Sequence, residues 1–319
     1  MNLPAIHFHD FAPGPSSLRE EVLAALSQRP LAIAPKFFYD ERGSQLFDAI
    51  CTLPEYYLTR TETGILQRHA REIARLVGPE AVLVELGSGA SRKVRLLLAA
   101  LQPSTYLGID ISREFLLTST RKLAQDFPWL EVHAACADFT RHLDITRCPD
   151  GAHRLAFFPG SSIGNFEPEP ARKLLEDIAA LVGPNGQLLI GVDLKKDPTL
   201  LHRAYNDARG ITAEFNRNLL VRMRRELEAD VDPQSFDHYA FYNPTPGRIE
   251  MHLVSRRAQA VRIDGRVFAI AEGESIHTES SYKYTVDQFH GLASAAGFDA
   301  QRVWQDENRL FSLQLLRAR

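Results

Sequence analysis

Cysteine is scarce. Cys51, Cys136 and Cys148 are the only three in 319 residues, and their spacings fit neither a disulfide framework nor a C-x-x-C zinc or redox pair. They read as small apolar residues. Long hydrophobic runs are also missing: Leu96 to Leu101 is typical of the longest, far below the roughly 18 residues of a membrane span. Met1 to Ser17 has no basic segment followed by an apolar one, so a cytoplasmic protein with no membrane partner is expected. Nor is there an excess of one charge. Lys plus Arg is 37 against 40 for Asp plus Glu, a formal charge of -3, and like charges do not cluster, so no nucleic-acid partner is expected. The 11 histidines form no H-E-x-x-H or His-rich tract, and no metal site is predicted. His7 and His9 fall in a segment bearing Pro and Gly that reads as mobile. What is present is the mixture of a soluble globular chain, 45% hydrophobic and 24% charged. Its length suggests about two domains, or one α/β unit with an insertion.

From Ala81 onward strands alternate with helices. Short apolar strands read at Val82 to Leu86, Tyr106 to Ile111, Glu131 to Ala137, Arg154 to Phe158 and Gly186 to Leu194. Helical periodicity reads at Val94 to Leu101, Arg113 to Asp126 and Glu169 to Val182, and this alternation predicts a parallel sheet covered on both faces. The rhythm then breaks. Pro198 to Asp230 is charged and helical, Arg248 to Ile263 is strand-like, and Asp264-Gly265 signals a hairpin into Val267 to Ala271. A helix at Asp287 to Ala296 and two terminal strands, Ala300 to Gln305 and Leu310 to Arg317, restore the sheet as an antiparallel hairpin. The reading is a sheet domain over 61–195 and 286–319. A second domain comprises 1–60 and 196–285.

Between the first strand and helix lies V-E-L-G-S-G-A-S, Val84 to Ser91. Gly87 and Gly89 let backbone N–H groups approach a ligand. Arg92 stands where a dinucleotide fingerprint has its third glycine, which disfavours a nicotinamide enzyme. The E-x-G-x-G turn resembles motif I of class I methyltransferases that bind S-adenosylmethionine. Asp110, about 20 residues on, is placed to accept from ribose hydroxyls; it could also be a helix cap, although Ser112 is better placed for that. Asp138 and Phe139 could meet the adenine amine and ring, or form a plain turn. Lys93 could reach a cofactor carboxylate or lie solvated. The coincidence of Gly87, Asp110 and Asp138 at three successive strand ends favours the ligand reading.

Longer motifs narrow it further. They are P-K-F-F-Y-D-E-R-G-S-Q-L-F-D (Pro35 to Asp48), L-P-E-Y-Y-L-T-R-T-E (Leu53 to Glu62), G-S-S-I-G-N (Gly160 to Asn165), R-A-Y-N-D-A-R-G-I-T-A-E-F-N-R-N (Arg203 to Asn218), R-I-E-M-H-L (Arg248 to Leu253) and T-E-S-S-Y-K-Y (Thr278 to Tyr284). With them the chain, from about Leu31 to its end, resembles the histidine-specific methyltransferase family of ergothioneine biosynthesis. The resemblance implies a Rossmann-like class I methyltransferase domain with a mostly parallel sheet, plus an α+β substrate-binding domain. It implies S-adenosylmethionine as cofactor and Nα-trimethylation of L-histidine, through its mono- and dimethyl forms, to hercynine; a monomer is expected. Tyr56, Asn165 and Tyr205 would hold the α-amino and carboxylate groups, and Glu279 and Ser281 the imidazole. Ser280 and Met251 would line the pocket, and Tyr39 would lie near the cofactor and reacting amine, where it or a water on Asn165 could take the amine proton. Read without the resemblance, Tyr56 and Tyr205 could be core, and Glu279 and Ser281 a solvated face. The competing functions are methylation of another amino acid or amine, an NAD-dependent oxidoreductase and a non-catalytic nucleoside-binding module.

Overall fold

The computed structural model describes residues 6–11, 15–140 and 153–319; Cys148 falls outside them. In chain order the elements are β1 (His7–Phe11), α1 (Pro15–Leu26), β2 (Leu31–Ala32), α2 (Glu41–Ile50), α3 (Tyr57–Val77), β3 (Val82–Leu86), α4 (Val94–Leu101), β4 (Thr105–Asp110), α5 (Arg113–Asp126), β5 (Glu131–Ala137), β6 (Arg154–Phe158) and α6 (Pro168–Val182). They continue with β7 (Gln187–Asp193), α7 (Pro198–Tyr205), α8 (Ile211–Leu227), β8 (Phe236–Asn243), β9 (Arg248–Ser255), β10 (Gln259–Ile263), β11 (Arg266–Ile270), β12 (Ser275–Tyr282), α9 (Val286–Ala295), β13 (Phe298–Gln305) and β14 (Phe311–Ala318). Among the described residues no helix is long and apolar enough to cross a membrane. The chain divides into two compact units. The first comprises 1–12, 58–195 and 282–319, the second 13–57 and 196–281.

The first unit is one sheet in the order β1-β5-β4-β3-β6-β7-β14-β13. Its strands are parallel except for β14, which runs antiparallel to both β7 and β13. Every residue of β3 and β7 is buried, as expected of central parallel strands with both faces covered. Val84, Ile109, Phe158 and Ile190 meet Leu175 and Phe289 in the core. Two expectations need correcting here. His7 and His9 are not in a mobile tail but in β1, which pairs with β5 from His7↔His133 to Phe11↔Ala137 and so satisfies its backbone groups on the sheet edge. His7 to Phe11 therefore join this unit, not the one expected for 1–60. Tyr282 to Thr285 join it too, because Lys195 N–H donates to the Tyr284 carbonyl (2.9 Å) and Tyr284 N–H to that of Asp193 (3.2 Å).

The second unit has a four-stranded sheet, β2-β12-β9-β8, and a separate β10-β11 hairpin. Asp264 and Gly265 both take positive φ at the hairpin turn, the backbone a two-residue loop demands. The helical stretch after Pro198 is two helices instead of one. The first ends at Tyr205, and Asp207 in the turn accepts from Ile211 N–H (3.0 Å) and Thr212 N–H (2.8 Å), the first donors of α8. Asp40 caps α2 in the same way, accepting from Gly43 N–H (2.7 Å), and also binds Asn218 (2.8 Å) and Arg225 (2.7 Å) of α8. Burial alone would raise its pKa, but hydrogen bonds from Gly43, Arg225 and Asn218 prevail and hold it below the ordinary value. Along β9, Ile249, Met251 and Leu253 are buried while Arg248, His252 and Val254 retain exposure, the alternation of a sheet with one core face.

Candidate active site

In the first unit the chain leaves β3 through Gly87 (φ 70°) and Gly89 (φ 49°), a backbone that other residues adopt only with strain. Gly87 and Ser88 N–H both donate to the Ile109 carbonyl (2.9 and 3.0 Å). Gly89 N–H donates to Asp110 Oδ2 (2.8 Å), and Ser112 N–H to Asp110 Oδ1 (2.9 Å). Asp110 thus fixes the glycine turn over the end of its own strand. Burial raises its pKa, opposed by bonds from Ser112, Gly89 and Ile111. A Cβ built on Gly89 meets nothing nearer than its own loop, Gly87 O at 4.0 Å, and one on Gly87 meets the edge of Phe139 at 3.7 Å.

Beneath the turn, Glu85 is buried and accepts from the Tyr106 hydroxyl at 2.6 Å. Burial pushes its carboxyl up to about 8, although Tyr106 and Lys93 pull the other way. Lys93 Nζ lies 2.5 Å from Glu62 Oε2. Glu62 is fully buried, and both its oxygens accept from Gly160 N–H at 3.0 Å. Glu62 therefore links α3, the lysine at the head of α4 and the loop after β6. Asp138 accepts from Thr140 N–H (3.0 Å) and its hydroxyl (2.5 Å), while Phe139 packs edge-on against Phe158.

Asn165 ends a short 3-10 turn, Ser162–Asn165, reached through Gly160 (φ 81°) and Ser161 (φ 60°). Ser161 Oγ accepts from Asp193 N–H (2.9 Å), and a Cβ on Gly164 would lie 2.7 Å from the Tyr282 carbonyl oxygen. That neighbouring segment is anchored by a fully buried ion pair, Lys283 Nζ to Asp193 Oδ2 at 2.8 Å, and by a hydrogen bond from the Tyr282 hydroxyl to Glu167.

The second unit gathers aromatic and polar groups. Tyr39 meets Phe47 and Phe215 edge-on, each at 5.7 Å between centroids. Tyr56 meets Phe47 and Tyr205, each at 6.3 Å. The Tyr205 hydroxyl bonds Ser281 Oγ at 2.8 Å, both buried. Burial drives the Tyr56 phenol well above its ordinary pKa, reinforced by Tyr205, Cys51, Glu279 and Tyr39 nearby. Tyr39, Tyr56, Tyr205, Glu279 and Ser281, from four separate segments, thus share one neighbourhood. Met251 is buried on β9, where its carbonyl accepts from Thr278 Oγ1 (3.0 Å), and the hydroxyl contact of Ser280 is with His277 Nε2 (3.3 Å). Sequence reasoning gave no role to Glu62, Phe47 or Phe215. Their signal was membership of the quoted motifs.

These residues fit a nucleoside cofactor. An open glycine turn, two carboxylates at successive strand ends and the ring of Phe139 beside Gly87 supply backbone room, acceptors for hydroxyls or an amine, and an apolar wall. With the mixed sheet they define a class I S-adenosylmethionine-dependent methyltransferase. Residues 18–318 match the model of the family described as "Histidine-specific methyltransferase, SAM-dependent", and the chain belongs to that family. It is 40% identical over 305 residues to the histidine N-alpha-methyltransferase of Mycolicibacterium smegmatis, covering 94% of each chain. Against the Mycobacterium tuberculosis protein of the same name it is 40% identical over 308 residues, covering 95% of each. It is 34% identical over 309 residues to ergothioneine biosynthesis protein 1 of Neurospora crassa, covering 90% of this chain and 33% of that protein.

Proposed function

We propose that this methyltransferase acts on the α-amine of L-histidine, three times in succession, yielding the betaine hercynine. The observation that carries the acceptor assignment is the buried Tyr205–Ser281 hydrogen bond in the neighbourhood of Glu279 and Tyr56. An imidazole offers one N–H and one lone pair; Glu279 accepts the first and the Ser281 hydroxyl meets the second. An apolar amino acid would leave both unpaired and be rejected. Tyr56, Tyr205 and Asn165 take the amino and carboxylate groups, with Met251 and Ser280 as wall. In the first unit Gly87, Gly89, Asp110, Asp138 and Phe139 take the nucleoside, and Lys93, held by Glu62, the carboxylate of the cofactor. The first unit is thus the cofactor domain and the second the substrate domain of a cytoplasmic monomer.

S-adenosylmethionine, when bound, supplies a methyl carbon made electrophilic by the sulfonium charge. The protein's part is to hold a deprotonated amine in line, a proximity effect worth several kcal/mol, on the order of 7–11 in favourable cases. The proton leaves through the Tyr39 hydroxyl, which passes its own proton to solvent as it accepts, or directly to water on Asn165; in Tyr39→Phe a fall in kcat with KM unchanged assigns it to the tyrosine. The test of substrate is mass spectrometry of the enzyme with S-adenosylmethionine and an equimolar panel of the twenty amino acids. Trimethylated histidine is expected. Methylation of another amino acid, or of none, refutes the acceptor assignment.

A further inference from the structure

On the unit-two sheet, β9 and β12 bring together three ligand-type side chains that this reading does not use. Glu250, His252 and His277 place metal-binding atoms all within 4.8 Å of one another. Glu250 and His252 are two apart on β9, on the face opposite Met251, and the His277 ring lies 5.0 Å from that of His252. Each group is oriented by its neighbours. Glu250 Oε1 accepts from Arg248 Nε (2.8 Å) and Asn243 Nδ2 (3.1 Å), while Oε2 faces His252 Nε2 at 3.3 Å. His252 Nδ1 lies 3.2 Å from Ser275 Oγ, and its ring stacks on Phe241 at 5.7 Å. His277 Nε2 lies 3.3 Å from Ser280 Oγ. Fixing the second nitrogen of a histidine by a hydrogen bond, and the second oxygen of a carboxylate likewise, is how proteins aim metal ligands.

We propose that Glu250, His252 and His277 bind one divalent transition-metal ion of the zinc type, two imidazoles and a carboxylate being a donor set of borderline softness. Three protein ligands leave a coordination position for solvent. Arg248 and Asn243 keep Glu250 Oε1, so the ion is bound through Oε2. A second group of the same composition, His7, Glu131 and His133, has two of its three members exposed, its carboxylate among them, and its histidine rings stack on each other; it lacks the buried carboxylate of the first.

The test is titration of the full, tag-free chain with Co²⁺ in histidine-free buffer, read by the visible d–d absorption, followed by displacement with Zn²⁺. One displaceable Co²⁺ per chain is expected. His252→Ala and His277→Ala should each weaken binding about 100-fold or more, and Ser275→Ala, which only aims His252, about 10-fold. His133→Ala should change nothing. No d–d band with the parent protein, equal affinity in the His252 and His277 variants, or loss of the band in His133→Ala would overturn the assignment. Folding of each variant is checked by its thermal melt, and if the histidine variants do not fold, Glu250→Gln decides by the same criterion.

Discussion

The fully buried pair Lys283–Asp193 offers the sharpest energetic test of the first unit. Both side chains have no solvent exposure and stand 2.8 Å apart, tying the 282–284 segment to the end of β7 beside the loop that carries Asn165. Lys283→Met keeps the aliphatic length but removes the ammonium, and Asp193 then stays buried without its countercharge. Breaking one side of such a pair costs about 3–5 kcal/mol. At roughly 2–4 °C per kcal/mol for a unit of this size, the melting transition should fall by on the order of 10 °C. Replacing both partners, Lys283→Met with Asp193→Leu, removes the stranded charge, and apolar pairs of similar volume are about neutral in such sites. The double variant should therefore melt above the single one. Differential scanning calorimetry reads both, with circular dichroism to confirm the fold. A single variant melting within about 2 °C of the parent, or a double variant no more stable than the single, would refute the reasoning.

Glu85, with its carboxyl pushed up to about 8 by burial, makes stability depend on pH. The folded chain holds a proton there that the unfolded chain releases near its ordinary value of 4.5, so stability should fall as pH rises from about 4.5 to 8 and then level off; Glu85→Gln should flatten that slope in urea titrations, and an unchanged slope would show that other groups carry it. Gly164→Ala would set a Cβ 2.7 Å from the Tyr282 carbonyl oxygen, displacing the Asn165 turn. Methyl transfer should drop by about 10-fold or more while S-adenosylhomocysteine affinity, by calorimetry, is retained; equal losses would place the effect in the cofactor site. Asp40→Ala removes the α2 cap and the bonds from Asn218 and Arg225, and should cost about 2 kcal/mol, seen as a lower urea midpoint, with Asp40→Asn recovering part. Under the proposed function, Glu279→Ala should raise the histidine KM at least about 10-fold and leave cofactor binding intact, whereas Asp110→Ala should do the reverse.

Much of the first unit was legible in the sequence, because its signals are local. Apolar runs such as Val82–Leu86 bounded by glycine turns mark buried strands, helical periods between them imply parallel pairing, and Gly87, Asp110 and Asp138 fall at strand ends simply by counting. The quoted motifs likewise announced the family. What sequence left unread depended on partners far along the chain. His7 to Phe11 is too short and polar to declare itself a strand, and only β5 gives its backbone groups a place to bond. Glu62 is a helical carboxylate until Lys93 and Gly160 close on it, and Asp193 and Lys283 are ordinary charges until the fold buries them together. Glu250, His252 and His277 show no metal-site spacing, since 25 residues separate the histidines and strand pairing alone makes them neighbours. Local periodicity and turn chemistry therefore determined the fold class and the place of the glycine turn, and motif resemblance the family, while electrostatic pairing, burial and the meeting of distant side chains were decided only in the tertiary structure, because Coulomb and hydrogen-bond energies depend on distance through space and not along the chain.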